Sequence, residues 1–379
     1  MIEVAGETGA APRSRRPDPQ TSREPIPDPR PPRGFVPIVA TLVAGAVAAA
    51  FAVAGAARPQ DPAWAAGAPS PGVTMFAPGV ISTGDDDAHV TFEPSGRRVW
   101  FLKNTPDFRH WTIAVVEWTG SGWGEPRVAP FSGRWAEGDL SLAPDGRAAY
   151  FVSTRPIEPG GAPRADTDVW RLHRQDDGAW GEPEHLPDLA SDGFEWFPNA
   201  TADGWLYFGS ERAAGNLGAE GTSDLWRARF EGGRFEPPEN LGPQINTAGQ
   251  DIEPWISADG RLLIFASNGR ADSRGSYDLY ASHLCDGSWT APRNLGDEVN
   301  SPEWDFGPRL SPDGRFLFFT SNRVSSARSP ERAWSFDELL GHLRSPGNGL
   351  RDVYRIDAAS LDLASPCRGA GPGAPAQER

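Results

Sequence analysis

Apolar and polar residues alternate with a period of two over many short runs of this chain, the signature of half-buried β-strands. Five of these runs align on a glycine: HVTFEPSGRRVWF on Gly96, DLSLAPDGRAAYF on Gly146, PNATADGWLYF on Gly204, PWISADGRLLIF on Gly260 and PRLSPDGRFLFF on Gly314. Each reads as strand, tight turn, strand, with the glycine supplying the φ > 0 position of the hairpin. A third strand follows. It opens at Asp168, Asp224, Asp278 or Asp352 in the last four units, and Thr112 holds that place in the first. An aromatic residue and a proline then lead into a short fourth strand: Trp123/Pro126, Trp180/Pro183, Phe235/Pro238 and Trp289/Pro292.

Four-stranded units at this period are the blades of a propeller. The expectation is therefore an all-β fold, a five-bladed β-propeller over residues 75–366. The fifth unit lacks its fourth strand. The 76–83 segment (FAPGVIST) resembles the end of an earlier fourth strand, 241–247 (LGPQINT). Residues 76–83 are thus expected to complete the last blade, which leaves no sheet edge unpaired.

The ends read differently. Residues 1–33 show no apolar periodicity and read as a disordered cytoplasmic tail. Residues 34–57 form an apolar run without a charge, long enough to span a bilayer as a helix. It reads as a transmembrane signal anchor, or as a signal peptide cut after small residues. Arg30 and Arg33 on its N-terminal side leave the tail inside and the rest outside. Residues 58–74 read as a linker and 367–379 as a disordered tail.

Composition sharpens this. The 43 Gly and 38 Pro suit a turn-rich β protein and exclude a helical bundle. The net charge of −15 argues against a nucleic-acid partner, which requires a basic face. Lys103 is the single lysine; the other basic residues are arginines.

The sharpest chemical pattern is an acid nine residues before every hairpin glycine: Asp87, Glu137, Glu195, Asp251 and Asp305. In a propeller the first strand lines the central channel, so these acids are expected to ring one mouth. The loop between strands 2 and 3 lies on the same face and carries Arg155, Arg212 and Arg323, with Arg270 shifted by one. Two readings stand side by side. The acids and arginines form a belt of ion pairs that locks the blades, or they form a binding mouth for a cation or polar ligand. Repetition favours the lock, which every blade needs, over a site, which is needed once. A catalytic carboxylate pair is the third reading.

Other signals are weaker. Asp85, Asp86 and Asp87 beside His89 are either a calcium loop or a solvated acidic loop, and their spacing matches no calcium pattern. Asp145, Asp203, Asp259 and Asp313 read as turn formers. The six histidines are scattered without ligand spacing, and no phosphate loop or nucleophile elbow is found, so no metal or cofactor is expected. Cys285 and Cys367 either pair or remain as two thiols. Between Arg323 and Asp352 an insertion carries capping-box spacing at Ser335 and Glu338, which predicts a helix over 336–344. That helix either walls the channel mouth or covers apolar surface.

The SPDGR-type hairpin, the F-x-S-x-R that follows it, the D-[LIV]-[WY] strand and the W-x-x-P-x-N-L-G strand resemble the TolB-type, WD-like propeller repeat of bacterial envelope proteins. The resemblance covers about 280 of the 379 residues. TolB itself has six blades and a further N-terminal domain, so its role in the Tol–Pal system is not implied. The resemblance speaks for the fold and little for the role; the sequence as a whole gives the expectation of a monomeric binding or scaffold module on the periplasmic or cell-surface side. It would be anchored in the inner membrane through residues 34–57, or secreted if that segment is cleaved. Its partner would be an unknown envelope protein or a small polar ligand, bound at the mouth near the five acids and the insertion. The alternative is an envelope hydrolase or lyase that uses two of those carboxylates.

Overall fold

A computed structural model describes residues 61–67, 72–324 and 332–367. All belong to one compact unit, 57–379. The 34–57 segment, the 1–33 tail and residues 368–379 lie outside the described residues. Among the described residues no helix is long and apolar enough to cross a membrane.

Five antiparallel sheets follow one another along the chain. Blade 1 comprises Asp86–Phe92, Arg98–Asn104, Trp111–Glu117 and Arg127–Val128. Blade 2 comprises Glu137–Leu142, Ala148–Ser153, Asp168–His173 and Glu184–His185. Blade 3 runs Glu195–Ala200, Trp205–Ser210, Asp224–Glu231, with Arg234–Phe235 and Glu239–Asn240 on its outer side. Blade 4 runs Asp251–Ile256, Leu262–Ser267, Asp278–Cys285, with Ser288–Trp289 and Arg293–Asn294 outside. Blade 5 runs Asp305–Leu310, Phe316–Ser321 and Asp352–Asp357, and its outer strand is Thr74–Met75 from the other end of the chain. The architecture is the five-bladed propeller that the repeats predict. The five hairpin glycines all take positive φ, between 68° and 95°.

Closure comes from the predicted region, two residues earlier than the expected strand. Thr74 and Met75 pair with Arg355 and Tyr354, and the Phe76 amide donates to the Val353 carbonyl at 2.8 Å. The chain then turns at Ala77, so most of 76–83 is not strand. The likeness to blades 3 and 4 nevertheless has a physical basis. There the Asn246 and Asn300 side chains bond both backbone groups of Leu225 and Leu279. In blade 5 the Ser82 hydroxyl takes that place, accepting from the Val353 amide and donating to its carbonyl at 3.0 and 3.1 Å.

Part of the expected linker is also structural. Ala63–Ala65 form a 3₁₀ turn. Trp64 packs edge-on against Phe92, and its indole N–H donates to Asp313. Arg355 bonds the Trp64 carbonyl at 2.7 Å. Trp64, Phe76, Phe92 and Phe318 share one apolar cluster where blade 5 meets blade 1. Burying one such aromatic side chain is worth roughly 2–3 kcal/mol, so this cluster holds the ring shut.

The insertion helix is Phe336–Leu343, capped by Ser335 and Glu338 as predicted. None of its residues is buried. Its exit is pinned where the Asn348 amide donates to the Gly84 carbonyl at 3.1 Å. Cys285 and Cys367 are joined as a disulfide, which ties the end of the chain to blade 4.

Candidate functional site

The five repeated acids are fully buried at the start of each inner strand. Each sits against a cation. Asp305 meets Arg323 at 2.6 Å, Glu195 meets Arg212 at 3.5 Å, Asp251 meets Arg270 at 3.7 Å, and Glu137 pairs with Arg155. Blade 1 lacks this arginine. Its partner is the lone lysine, Lys103, whose Nζ lies 2.7 Å from Asp87. Loop donors bind the carboxylates as well: Thr83 on Asp87, Gly133 on Glu137, Ser191 on Glu195, Thr247 on Asp251 and Ser301 on Asp305. The four arginines also reach carbonyls of the preceding inter-blade segment, at Phe131, Leu189, Ile245 and Val299. Each cluster thus ties an entry loop to its blade. Burial pushes the Asp87 and Asp251 carboxyls up, and pushes Glu195 up to about 7 against the opposing pull of Ser191 and Arg212.

A second position, two residues further on, behaves differently. His89, Asp139, Phe197, Glu253 and Gly307 all have positive φ, between 45° and 61°. Each marks a break in register between the first and second strands of its blade. A bulge turns its extra residue out of the pleat, and these five meet around one imidazole. His89 Nδ1 lies 2.8 Å from Asp139, and its Nε2 lies 3.3 Å from Glu253. Phe197 packs edge-on against the ring at 5.2 Å. Gly307 leaves room for it, since a Cβ there would lie 2.5 Å from His89 Cδ2.

A carboxylate close to each ring nitrogen favours the charged imidazolium over either neutral tautomer. Burial opposes that charge, yet Glu253 and Asp139 outweigh it and raise His89 to about 9. Asp139 also accepts from the Phe197 amide at 3.0 Å. Glu253 keeps one buried oxygen, Oε2, without a partner. Behind Phe197 lies Arg309, which burial lowers to about 10.

Above this plug opens a cavity of about 260 Å³. His89, Asp139 and Glu253 form its floor. Trp111 and Trp196 stack at 5.7 Å and 12° on one wall, with Tyr277, Trp304 and Phe306 also lining it. Each tryptophan of the stack is held by its N–H, Trp111 on the Phe108 carbonyl and Trp196 on Glu211. Glu211 lines the mouth, and its carboxyl is raised by burial. Arg351 lies there too, paired with Asp86 at 2.6 Å.

The cavity opens on the face where the acids and arginines were expected. None of Asp87, Glu137, Glu195, Asp251, Asp305, Arg155, Arg212 or Arg323 lines it, and neither does the insertion helix. The three adjacent aspartates separate: Asp85 and Asp87 go to Lys103, and Asp86 goes to Arg351. Asp259 and Asp313 accept from the amides of Arg261 and Arg315 and form turns. Sequence reasoning missed Asp139, Glu253, Glu211 and the tryptophans, and named His89 only beside the three aspartates. The available signal was the position two beyond each acid, where the repeat suddenly reads His, Asp, Phe, Glu, Gly.

No family model and no curated protein matches the chain. Among solved structures it is similar to one described as a TolB of Agrobacterium tumefaciens, at 16% identity over 72% of this chain and 90% of that one, TM-score 0.42. A thermostable family-43 glycoside hydrolase gives 12% identity over 80% and 100%, TM-score 0.47. An α-L-arabinofuranosidase of Lactobacillus brevis gives 12% over 74% and 92%, TM-score 0.45. Likeness at this level assigns no activity.

Proposed function

We propose that the chain is an extracytoplasmic binding propeller that takes a small ligand into the axial cavity. One observation carries the reading. The lock positions repeat one chemistry in all five blades, whereas the bulge positions carry five different residues, and those five converge. A structural device recurs; a site is built once. The cavity's makeup agrees, with aromatic walls and a few placed polar groups, as small-ligand pockets have. The apolar 34–57 segment and the disulfide favour a place outside the cytoplasm. A partner protein of the envelope is the other expected occupant of this face.

Intrinsic fluorescence tests it, because Trp111, Trp196 and Trp304 line the cavity. Monosaccharides, disaccharides and small organic cations are titrated into the protein and into Trp196→Ala. A binder whose signal and affinity disappear in Trp196→Ala supports the reading. Binders unaffected by that change overturn it.

A hydrolytic role is the second reading, favoured by Glu211, a carboxyl raised by burial, sharing a cavity with the unpartnered oxygen of Glu253. A raised carboxyl suits a general acid and an unpartnered carboxylate a base or nucleophile. Turnover of p-nitrophenyl glycosides, lost by roughly 100-fold or more in Glu253→Gln, would establish it.

A further inference from the structure

The axial cavity has a sign as well as a shape. Among the described residues three carboxylates line it: Asp139, Glu211 and Glu253. Among the described residues two cations line it, and both are committed. His89 lies between Asp139 and Glu253, and Arg351 lies against Asp86. Arg309 stands behind Phe197 and does not line the cavity. Arg309 offsets Asp139 and His89 is shared by Asp139 and Glu253, so Glu211 is the carboxyl with no cation against it, beside a Glu253 Oε2 that is buried without a hydrogen bond.

The surroundings report the same field. Tyr277 is pushed up to about 12, first by burial and then by the negative charges of Glu253, Glu211 and Asp251. His89 is raised to about 9 by Glu253 and Asp139 against the opposing effect of burial. Both shifts have the sign that a negative potential produces.

The walls suit the same occupant. Aromatic faces attract a cation through their quadrupole, best when the cation is desolvated. On one side Trp111 and Trp196 stack on each other, with Phe194 stacked on Trp196, and Tyr277 and Trp304 meet edge to face at 6.0 Å. A neutral polyol would use the carboxylates as acceptors but would leave their charge uncompensated in a half-buried, aromatic-lined space.

We infer that the ligand of the axial cavity is a small organic cation, an amine or quaternary ammonium, held between the Trp111/Trp196 and Tyr277/Trp304 walls with its charge toward Glu211 and Glu253. This rests on the reading of the cavity as the ligand site, and deepens it to a chemical class.

The test compares two probes of one shape on the intact protein: choline and its uncharged isostere 3,3-dimethyl-1-butanol, with D-glucose and L-arabinose alongside. Choline is expected to bind at least tenfold more tightly than the isostere. Glu211→Gln is expected to erase most of that preference, through weaker choline binding with the isostere unchanged. Equal binding of choline and the isostere overturns the inference. Sugar binding that is lost in Trp196→Ala, without choline binding, overturns the inference while sparing the cavity as the site. Absence of binding by every probe overturns both. The choline-to-isostere ratio needs only the wild-type chain, so the result stands even where a variant fails to fold.

Discussion

The His89 imidazole occupies the space into which a side chain at position 307 would project; a Cβ on Gly307 would lie 2.5 Å from His89 Cδ2. Blades 1 and 5 thereby share the axis; the glycine is required for this space, and it takes its φ of 61° without the strain that side chains bear at the four equivalent positions. Gly307→Ala should cost about 2–4 kcal/mol, from left-handed strain plus overpacking. Urea unfolding measures it, and a cost under about 0.5 kcal/mol would mean that the imidazole moves freely.

Stability should fall as pH rises from 5 to 9.5. His89 is raised from 6.5 to about 9, so its contribution is complete below pH 6.5 and is lost as pH climbs through 9. Glu195 and Asp352 are both raised to about 7 by burial. The native state keeps protons there that the unfolded chain has already released, so stability also declines from the ordinary carboxylate range toward 7. All three slopes share one sign. Melting temperature followed across this range should decrease throughout, and His89→Gln should flatten the part above pH 6.5.

Lys103 replaces the arginine of the other blades and faces a fully buried Asp87. Lys103→Met leaves that carboxylate without its cation and should cost roughly 3–5 kcal/mol. Adding Asp87→Asn should recover much of the loss, which a double-mutant cycle reads directly. Additive losses in the double variant would show that the pair is not coupled.

Ring closure depends on Phe76, which is 1% exposed among Phe92, Phe318 and Trp123. Phe76→Ala should cost about 3–5 kcal/mol. Blade 5 should then open before the others, seen as faster amide exchange in Asp352–Asp357 than in the third strands of blades 3 and 4.

The disulfide closes a loop of 82 residues by sequence separation. The chain-entropy model gives such a bridge about 4.5 kcal/mol. Reductant should lower the melting temperature of the wild type and leave a Cys285→Ser/Cys367→Ser variant unmoved.

The sequence by itself determined the blades. Alternation, hairpin glycines and the spacing of Asp87, Glu137, Glu195, Asp251 and Asp305 are local and repeated, and repetition is legible without coordinates. It also located closure in the right segment, because Ser82 makes the bonds that Asn246 and Asn300 make, although the paired residues proved to be Thr74 and Met75. The insertion helix was legible for the same reason, since Ser335 and Glu338 cap locally. Trp64 was not, because its partners Phe92 and Asp313 are distant in sequence.

Only the tertiary structure decided where the cavity lies. His89, Asp139, Phe197, Glu253 and Gly307 share no residue type, so they form no motif. They meet because a bulge in each inner strand turns one residue toward a common axis, and five blades bring those axes together. Repetition encodes the ring, while the site is written in its exceptions, which acquire meaning once the ring has closed.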